Sequence, residues 1–483
     1  MPDATIAIDV PSATKSATKR TGSCGSHLKG GTVFDVFLTT TAAAVGQSIL
    51  ALPTTLSWMG AEWGILWELL FHTASTYTGY LLLVLYLDFK AQFPASVKPN
   101  ANAKADTLSD QTQSVCTSGI VQYHDIMGFH VAPWFGVVSR VFVIITLFGL
   151  ATVQFIAASS NLYLLSDQLN KQQWTFVFAA PTLGILLLPG LEHFRVLTLL
   201  GLLTTTYTAL YMVSAAALHG PVDAVDRSGP QSMRSFFTGS ADIIFTFSGH
   251  GMLTEVMHTM EHPERFGIAF SYQWVYVSLF LTIPNSLVVW WTFGTETLLH
   301  HNALALLPRS EYRDVAVVLM ALHSLVAFGL FVFPLFIMAE KACCVHRRPL
   351  HWRLLPRLLV FGLCLLVGLA FPFFGPANGV IGAVLSSNVT YILPCVAHLW
   401  VYRTAERRRA CVLQPWWPQV TWTLIAVINI LIATVTAIAG FALGSYYTML
   451  TLIDDAASFG IFARCYQCPQ IAVSALFNAT SAA

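Results

Sequence analysis

The stretch that decides the fold reads IIFTFSGHGMLTE and covers residues 243–255. It lies in an apolar segment long enough to enter a lipid bilayer, yet it contains two glycines, an imidazole and a carboxylate. Irregular backbone at membrane depth is tolerated only where it lines a cavity or packs on protein. Ionisable groups at that depth are costly and are therefore functional candidates. The pattern predicts a broken transmembrane helix with a site at its break.

The composition places the whole chain in a membrane. Of its 483 residues, 55% are hydrophobic and only 10% are charged, and the mean hydropathy is +0.64. Soluble globular proteins have about 25% charged residues, so the chain is predicted to be an integral membrane protein with several spans. The net charge of +1, without a basic aromatic patch, indicates no nucleic acid partner. The polar first thirty residues lack the apolar core of a signal peptide.

Apolar windows of roughly 20 residues predict eleven spans. They cover residues 34–58, 63–87, 134–165, 173–190, 196–218, 235–260, 267–293, 314–340, 354–374, 377–402 and 418–444. Arginines cluster after spans eight and ten, and the N-terminal tail is also basic. Since cytoplasmic loops carry the excess of Lys and Arg, the N-terminus is predicted inside and the C-terminus outside. Asn478 begins a glycosylation sequon compatible with that side.

The spans divide into two halves of similar length. Residues 1–33 form the predicted cytoplasmic tail, 34–218 the first five-helix repeat with a flexible loop at 91–122, and 219–233 an external linker. Residues 234–402 form the second repeat, followed by a basic cytoplasmic loop at 403–417, an eleventh span at 418–444 and an extracellular tail at 445–483. Span one carries its own polar interruption at residues 44–48, and matched interruptions are typical of inverted-repeat transporters.

The break in span one offers Gly46, Gln47 and Ser48. If the helix breaks there, the free amides and positive dipole end of the following half-helix would face an anion. The alternative interpretation is a face of small residues that packs on a neighbouring helix. The matching break in span six favours a substrate site.

In span six, Phe247, Ser248, Gly249 and His250 form the break. His250 could bind a carboxylate, carry the coupled proton or do both, because its ordinary pKa of about 6.5 lies near physiological pH. Glu255, one turn further, could hold His250 in its charged form. Alternatively, Glu255 is a structural residue that ties the broken helix to a neighbour.

Span three contributes Gln154 and Asn161, which share one helix face. They could line the cavity or form hydrogen bonds to another helix. Glu68 and His72 in span two, four residues apart, are interpreted as a structural pair. Aromatic side chains of span eight, around Phe331, could form a wall of the pocket.

No metal or cofactor is expected. His258 and His262 have a metal-binding spacing, but the predicted topology puts them on the opposite side from His300 and His301. Cys465 and Cys468 lack two further ligands nearby, so a local disulfide or two free thiols is favoured over zinc.

Several unusual segments give the chain a clear resemblance. They are FFTG at 236–239, Gly249-His250 followed by EVMH at 255–258, LTIP at 281–284, FPFFGP at 371–376 and FGIFARCYQC at 459–468. The chain resembles the auxin influx carriers, a branch of the amino acid/auxin permease family, from about Gly31 to Cys468. The last segment is the one most specific to that branch.

The resemblance implies an all-α polytopic fold of the leucine-transporter type, with a 5+5 inverted repeat, broken spans one and six, and an eleventh helix. It also implies a plasma-membrane location and proton-coupled uptake of indole-3-acetic acid. A monomer is expected. It assigns substrate binding and proton coupling to His250 and places the glutamine of the family's broken span one on Gln47. The alternative function is a proton-coupled neutral or aromatic amino acid permease.

The chain departs from the land-plant carriers at several positions. Ala42, Ala43 and Ala44 replace amide side chains, Ser248 replaces a glycine, and Glu68 replaces a neutral amide. The loop at 91–122 is also longer. These departures predict a divergent member of the family, and an algal origin is one interpretation. The resemblance therefore determines the fold more directly than the ligand preference.

Overall fold

The computed structural model describes residues 31–92, 120–188, 190, 194–414, 421–464 and 466–468. Most of the predicted N-terminal tail, most of the 91–122 loop, and Asn478 with its sequon lie outside these residues. The described chain is helical, and its strand-type pairing is one isolated bridge between Gly31 and Met260.

Within the described residues, helices occupy the positions of all eleven predicted spans, and they keep those span numbers here. Span one is split into Val33–Ala44 and Leu52–Met59, and span six into Met233–Thr246 and Leu253–Thr259. Span two is Ala61–Gln92, span three Pro133–Leu165, span four Lys171–Thr182 and span five Arg195–His219. Span seven runs through Phe266–Tyr276, Val277–Thr282 and Ile283–Phe293. Span eight is Glu311–Ala342 and span nine Leu350–Ala370. Span ten runs through Phe374–Val380, Ile381–Ile392 and Leu393–Val401, and span eleven through Trp422–Val435, Thr436–Gly444 and Ser445–Phe459.

Seven of these helices are long and apolar enough to cross a membrane: spans three, five and seven to eleven. Spans one and six are interrupted, span four is short, and span two carries Glu62, Glu68 and Asp88. The chain is therefore an all-α polytopic membrane protein, as predicted. Spans seven, ten and eleven each contain a π-helical segment, a form that often occurs near functional sites.

Three boundaries differ from the prediction. Span eleven continues as a helix through Ser445–Phe459, past the predicted start of the tail at 445. Span nine ends at Ala370, because Phe371–Phe373 leave the helix before span ten begins. A short helix, Tyr123–His130, precedes span three, and Gln122 before it is fully buried. The polar composition that predicted a loop did not reveal that its end packs into the protein.

The packing repeats with an offset of five spans. The first half of span one packs on spans five and seven, and the first half of span six packs on spans ten and two. Span three packs on spans four and ten, whereas span eight packs on spans nine and five. Each of these contacts in one half has its counterpart in the other. This is the arrangement expected of a 5+5 inverted repeat, in which the broken spans face each other at the centre.

A buried ion-pair network anchors the end of span eight to span nine. Arg357 and Glu340 are both fully buried, with Nε and Oε1 2.7 Å apart, and Arg357 also donates to the carbonyls of Leu186 and Leu188. Removing one partner of such a pair costs about 3–5 kcal/mol, since it leaves a buried uncompensated charge. The network connects spans eight and nine to the segment that follows span four.

Candidate functional site

The break in span six is held open by span two. The first half-helix ends at Thr246, and the hydroxyl of Ser75 donates to the carbonyl of Phe247 at 2.8 Å. Gly249 then adopts φ +137° and ψ 2°, a conformation essentially restricted to glycine. A short turn, His250–Met252, leads into the second half-helix at Leu253. The glycine in the sequence motif is therefore required by the backbone.

His250 is buried at this break and faces span two. Its Nε2 lies 3.0 Å from the carbonyl oxygen of Ser75 and 3.1 Å from the Thr78 hydroxyl. A carbonyl can only accept, so the network assigns the proton of the neutral ring to Nε2. Nδ1 is then the nitrogen that can take up a second proton. Protonation there would turn the ring into a cation inside the protein.

His250 lines a cavity of about 320 Å³, called here the histidine cavity. The walls come from both broken spans and from spans two and seven. Two aromatic rings, Phe247 and Phe270, and a second imidazole, His72, share the lining with His250. His72 stacks on Phe247 with ring centroids 4.2 Å apart and an interplanar angle of 8°.

The break in span one is lined by small and polar residues. After Ala44 the chain passes through Gly46 into the turn Gln47–Leu50, and the second half-helix starts at Leu52. Asn285 of span seven donates from Nδ2 to the carbonyl of Ile49 at 2.8 Å, which ties the break to that span. Gly46 packs directly on span eight: a Cβ at this position would lie 2.6 Å from His323 Nε2. Side chains larger than hydrogen are excluded there.

A second cavity of about 280 Å³, the glutamine cavity, adjoins the first and shares Ala43, Ala44 and Ser248 with it. Its polar lining includes Gln47, Ser48 and Gln154. Within the described residues, Gln47 Oε1, Ser48 Oγ and Gln154 Oε1 have no hydrogen-bond partner. Buried polar groups are normally paired. Three unpaired oxygens around one cavity suit a site that receives a polar ligand.

The cavities bring together eight of the nine predicted substrate-binding residues. Phe247, Gly249 and His250 line the histidine cavity, whereas Gly46, Gln47, Ser48 and Gln154 line the glutamine cavity, and Ser248 lines both. The ninth, Asn161, lies elsewhere: its Oδ1 accepts from Asn302 Nδ2 at 2.7 Å. Asn161 joins span three to the segment between spans seven and eight. The shared helix face with Gln154 did not bring both residues to one cavity.

Glu255 does not pair with His250. Its Oε1 accepts from Gln122 Nε2 at 3.0 Å and its Oε2 from the Thr254 hydroxyl at 2.8 Å. Gln122 in turn accepts from Lys341 at 3.1 Å. Glu255 therefore ties the broken helix to span eight and to the segment before span three, which matches the structural interpretation rather than direct coupling.

The short helix Tyr123–His130 extends this polar cluster. Burial raises the pKa of Asp125, partly offset by the nearby charges of Lys341 and Arg140. Burial, reinforced by Arg140 and Lys341, lowers the pKa of His124 to about 3. His124 is consequently neutral at physiological pH, and the cluster is a structural connection outside the cavities.

Span two contributes residues that the sequence had not indicated. Ser75 and Thr78 hold the break and His250, and they stand one turn apart on a single helix face. The predicted pair of His72 with Glu68 is not formed. Instead, His72 Nδ1 lies 2.6 Å from the Ser278 hydroxyl oxygen of span seven. His72, Ser75 and Thr78 are spaced three residues apart, so they form a polar stripe on one face of span two. Nothing in the sequence said which span it faced.

The end of the described chain packs over the ends of several helices. The Phe462 amide donates to the Ala370 carbonyl at 2.9 Å, and Gln172 donates to the Phe462 carbonyl at 2.6 Å. Lys171 donates to the carbonyl of Tyr466, and Cys468 is disulfide-bonded. The distinctive 459–468 segment thus joins spans four, nine and eleven.

Comparison with known proteins agrees with this architecture. Residues 107–441 match the family described as transmembrane amino acid transporter protein. Auxin transporter-like protein 1 of Medicago truncatula is 34% identical over 444 residues, which cover 91% of this chain and 88% of that protein. Auxin transporter-like protein 1 of Arabidopsis thaliana is 34% identical over 441 residues, with 91% and 87% covered.

Auxin transporter-like protein 2 of Oryza sativa subsp. japonica gives the same picture, at 34% identity over 442 residues, 91% of this chain and 88% of the relative. The three relatives each cover 91% of this chain, so the similarity extends over both halves of the fold. The chain belongs to the transmembrane amino acid transporter family, in its auxin influx carrier branch, and is a multi-pass membrane transporter for a small molecule.

Proposed function

We propose that this transporter carries indole-3-acetic acid, or a related aryl carboxylate, into the cell together with protons across the plasma membrane. The observation that carries the proposal is the position of His250: a buried imidazole at a helix break, lining a cavity that also contains Phe247 and Phe270. A proton gradient supplies the driving force, without a cofactor, and the monomer is the working unit. The N-terminus faces the cytoplasm and the C-terminus the exterior.

The proton couples to the substrate through its charge. Acidic external medium protonates His250 at Nδ1, and the imidazolium binds the substrate carboxylate by a charge-assisted hydrogen bond. The aromatic rings of the histidine cavity stack on the aryl group. Gln47, Ser48 and Gln154 supply further polar contacts from the glutamine cavity. In the neutral cytoplasm His250 loses its proton, and the carboxylate is released.

The lining of the cavities favours an aryl carboxylate over an amino acid. An amino acid needs a partner for its ammonium group, and Glu255 is the carboxylate near the break in span six that could serve. Glu255 lies outside both cavities, and no Asp or Glu is among the described residues that line them. Two imidazoles and two phenyl rings instead present groups that suit an anion attached to an aromatic ring.

The test is accumulation of labelled indole-3-acetic acid in cells that express the chain. External pH is set to about 5.5 and about 7.5, on either side of the ordinary histidine pKa of about 6.5. We expect saturable uptake that is stronger at the acidic pH, is abolished by a protonophore and is unaffected by excess tryptophan. Uptake should rise as pH falls, because the cationic form of His250 is the form that binds the anion.

Inhibition of uptake by tryptophan would instead support the amino acid permease. Absence of uptake at either pH, with the protein shown at the cell surface, would reject the proposed substrate class.

A further inference from the structure

A third buried histidine, His323 of span eight, stands behind the break of span one. Its side chain is fully buried, and it lines neither cavity. Nδ1 lies 2.8 Å from the Thr205 hydroxyl and 3.1 Å from the Gly201 carbonyl, both in span five. Nε2 has no hydrogen-bond partner among the described residues. One ring nitrogen is therefore engaged with the scaffold while the other is free.

The hydrogen bonds assign the proton of the neutral ring. The Thr205 hydroxyl donates to the Gly201 carbonyl at 3.0 Å, so its oxygen is available to accept. Nδ1 then donates to the Thr205 oxygen or the Gly201 carbonyl, and the lone pair resides on Nε2. An unpartnered lone pair in a buried site is a place where a proton can bind.

Nε2 points at the break of span one. A Cβ on Gly46 would lie 2.6 Å from it, so backbone and ring are in direct contact. The first half-helix ends at Ala44, where the last turn leaves carbonyl groups without intrahelical partners and carries the negative end of the helix dipole. A cation is favoured at that position. An imidazolium at residue 323 would supply both the charge and a donor for a carbonyl.

Within the part of the chain that the structure describes, no charged side chain is among the recorded contacts of the His323 ring. The groups that face the ring are Gly201 and Thr205 of span five and Gly46 of span one, none of them titratable. Asp35 of span one and Arg195 of span five pair with each other at the starts of those helices. In span three, which also packs on span eight, the neighbouring cavity residues are Leu150 and Gln154.

We propose that His323 is a second protonation site of the transport cycle, separate from the substrate cavity. Its proton binds the end of the first half-helix of span one to spans five and eight. Its loss weakens that contact and allows the half-helix to move. Gly46 contacts His323 on one side and lines the glutamine cavity on the other. Binding of the substrate and binding of the proton therefore both affect the backbone at Gly46. The inference rests on the proposed proton-coupled uptake.

The test compares charge and substrate movement in oocytes that express the full chain. Inward current and labelled indole-3-acetic acid uptake are recorded together for wild type, His323→Gln and His398→Gln. We expect the charge moved per substrate to fall in His323→Gln by the charge of a single proton. His398→Gln is the matched control, since His398 is also buried but bonds to Asn429 of span eleven. It should keep the wild-type ratio.

An unchanged ratio in His323→Gln, with wild-type uptake intact, would overturn the inference and leave the proposed function standing. Absence of uptake in the wild type would overturn the proposed function itself. Equilibrium binding of the labelled substrate to purified His323→Gln should stay within about threefold of wild type, because the ring lies outside the cavities and loss of a direct hydrogen bond would cost more.

If His323→Gln does not fold, the pH profile of uptake by Thr205→Val tests the inference instead. This substitution removes an acceptor that stabilises the charged ring but keeps the packing volume. Half-maximal uptake should then move to a more acidic pH, and an unshifted pH profile would overturn the inference.

Discussion

The two broken helices differ in how their breaks are held. At span six, the polar groups of the break are bound by the scaffold: Ser75 holds the Phe247 carbonyl, and Ser75 and Thr78 hold His250. At span one, Gln47 Oε1 and Ser48 Oγ have no partner within the described residues. One break positions an ionisable group, and the other presents unsatisfied polar groups to a cavity.

The difference indicates a division of labour. A group that must gain and lose a proton needs a fixed geometry, because its neighbours determine which nitrogen reacts. Groups that bind a ligand can remain unsatisfied until the ligand arrives, at a cost that binding recovers. The inverted repeat therefore supplies two similar backbone interruptions, while the side chains around them perform different tasks.

The largest effect is expected from His250→Ala. Removing the imidazole removes both the coupled proton and the charged partner of the carboxylate, so accumulation should be abolished. A charge-assisted hydrogen bond contributes about 1.5–3 kcal/mol, so affinity alone should fall by roughly tenfold to more than a hundredfold. The measurement is uptake of labelled indole-3-acetic acid normalised to surface protein. His398→Ala should retain uptake, and normal uptake by His250→Ala would contradict the assignment of span six.

A smaller effect is expected from Gly249→Ala, which tests whether the break depends on backbone conformation. Gly249 has φ +137°, and an added Cβ would meet no atom within 4 Å. The cost is therefore strain rather than a clash, about 1–3 kcal/mol of folding stability. Thermal unfolding of the purified protein should show a lower midpoint. Gly362→Ala in span nine, where the added Cβ also meets nothing within 4 Å, should not lower it.

The smallest effect is expected from Gln47→Ala. Because Gln47 Oε1 has no partner among the described residues to lose, folding should be unaffected. Loss of a ligand contact of about 0.5–1.5 kcal/mol should raise the KM by roughly twofold to just over tenfold. Kinetics of uptake over a range of substrate concentrations measure this change. Asn161→Ala provides the contrast: it loses its bond to Asn302 and should lower stability with an unchanged KM. A raised KM only in Asn161→Ala would reverse the assignment of the two residues.

Much of the fold follows from local sequence. Apolar windows located a helix at each of the eleven predicted positions, because a membrane helix must keep its backbone hydrogen bonds internal and its surface apolar. The two breaks were predictable because clusters of small and polar residues interrupt two apolar segments at corresponding positions of the two halves. Span eleven was predicted too short because its last fifteen residues, Ser445–Phe459, include polar side chains that a hydropathy window counts as loop.

The features of the site can also be divided into those that local sequence determines and those that it does not. The sequence by itself determined that Gly46, Gln47, Ser48 and the segment from Phe247 to His250 interrupt their helices, since that depends on residue type and neighbours in the chain. It could not determine what those breaks face. Ser75 and Thr78 contact residues of span six that lie 172 positions away in the chain, and His72 stacks on Phe247. His323 contacts Gly46 of span one across a still longer separation in the chain.

Glu255 and Asn161 show the converse. Each has the right chemistry, at a position on its helix that could reach the site, and each is turned toward another partner by the packing of whole helices. Periodicity specifies which residues share a helix face, but only the tertiary structure decides what that face meets, because helix rotation and neighbour choice are set by many weak contacts distant in sequence.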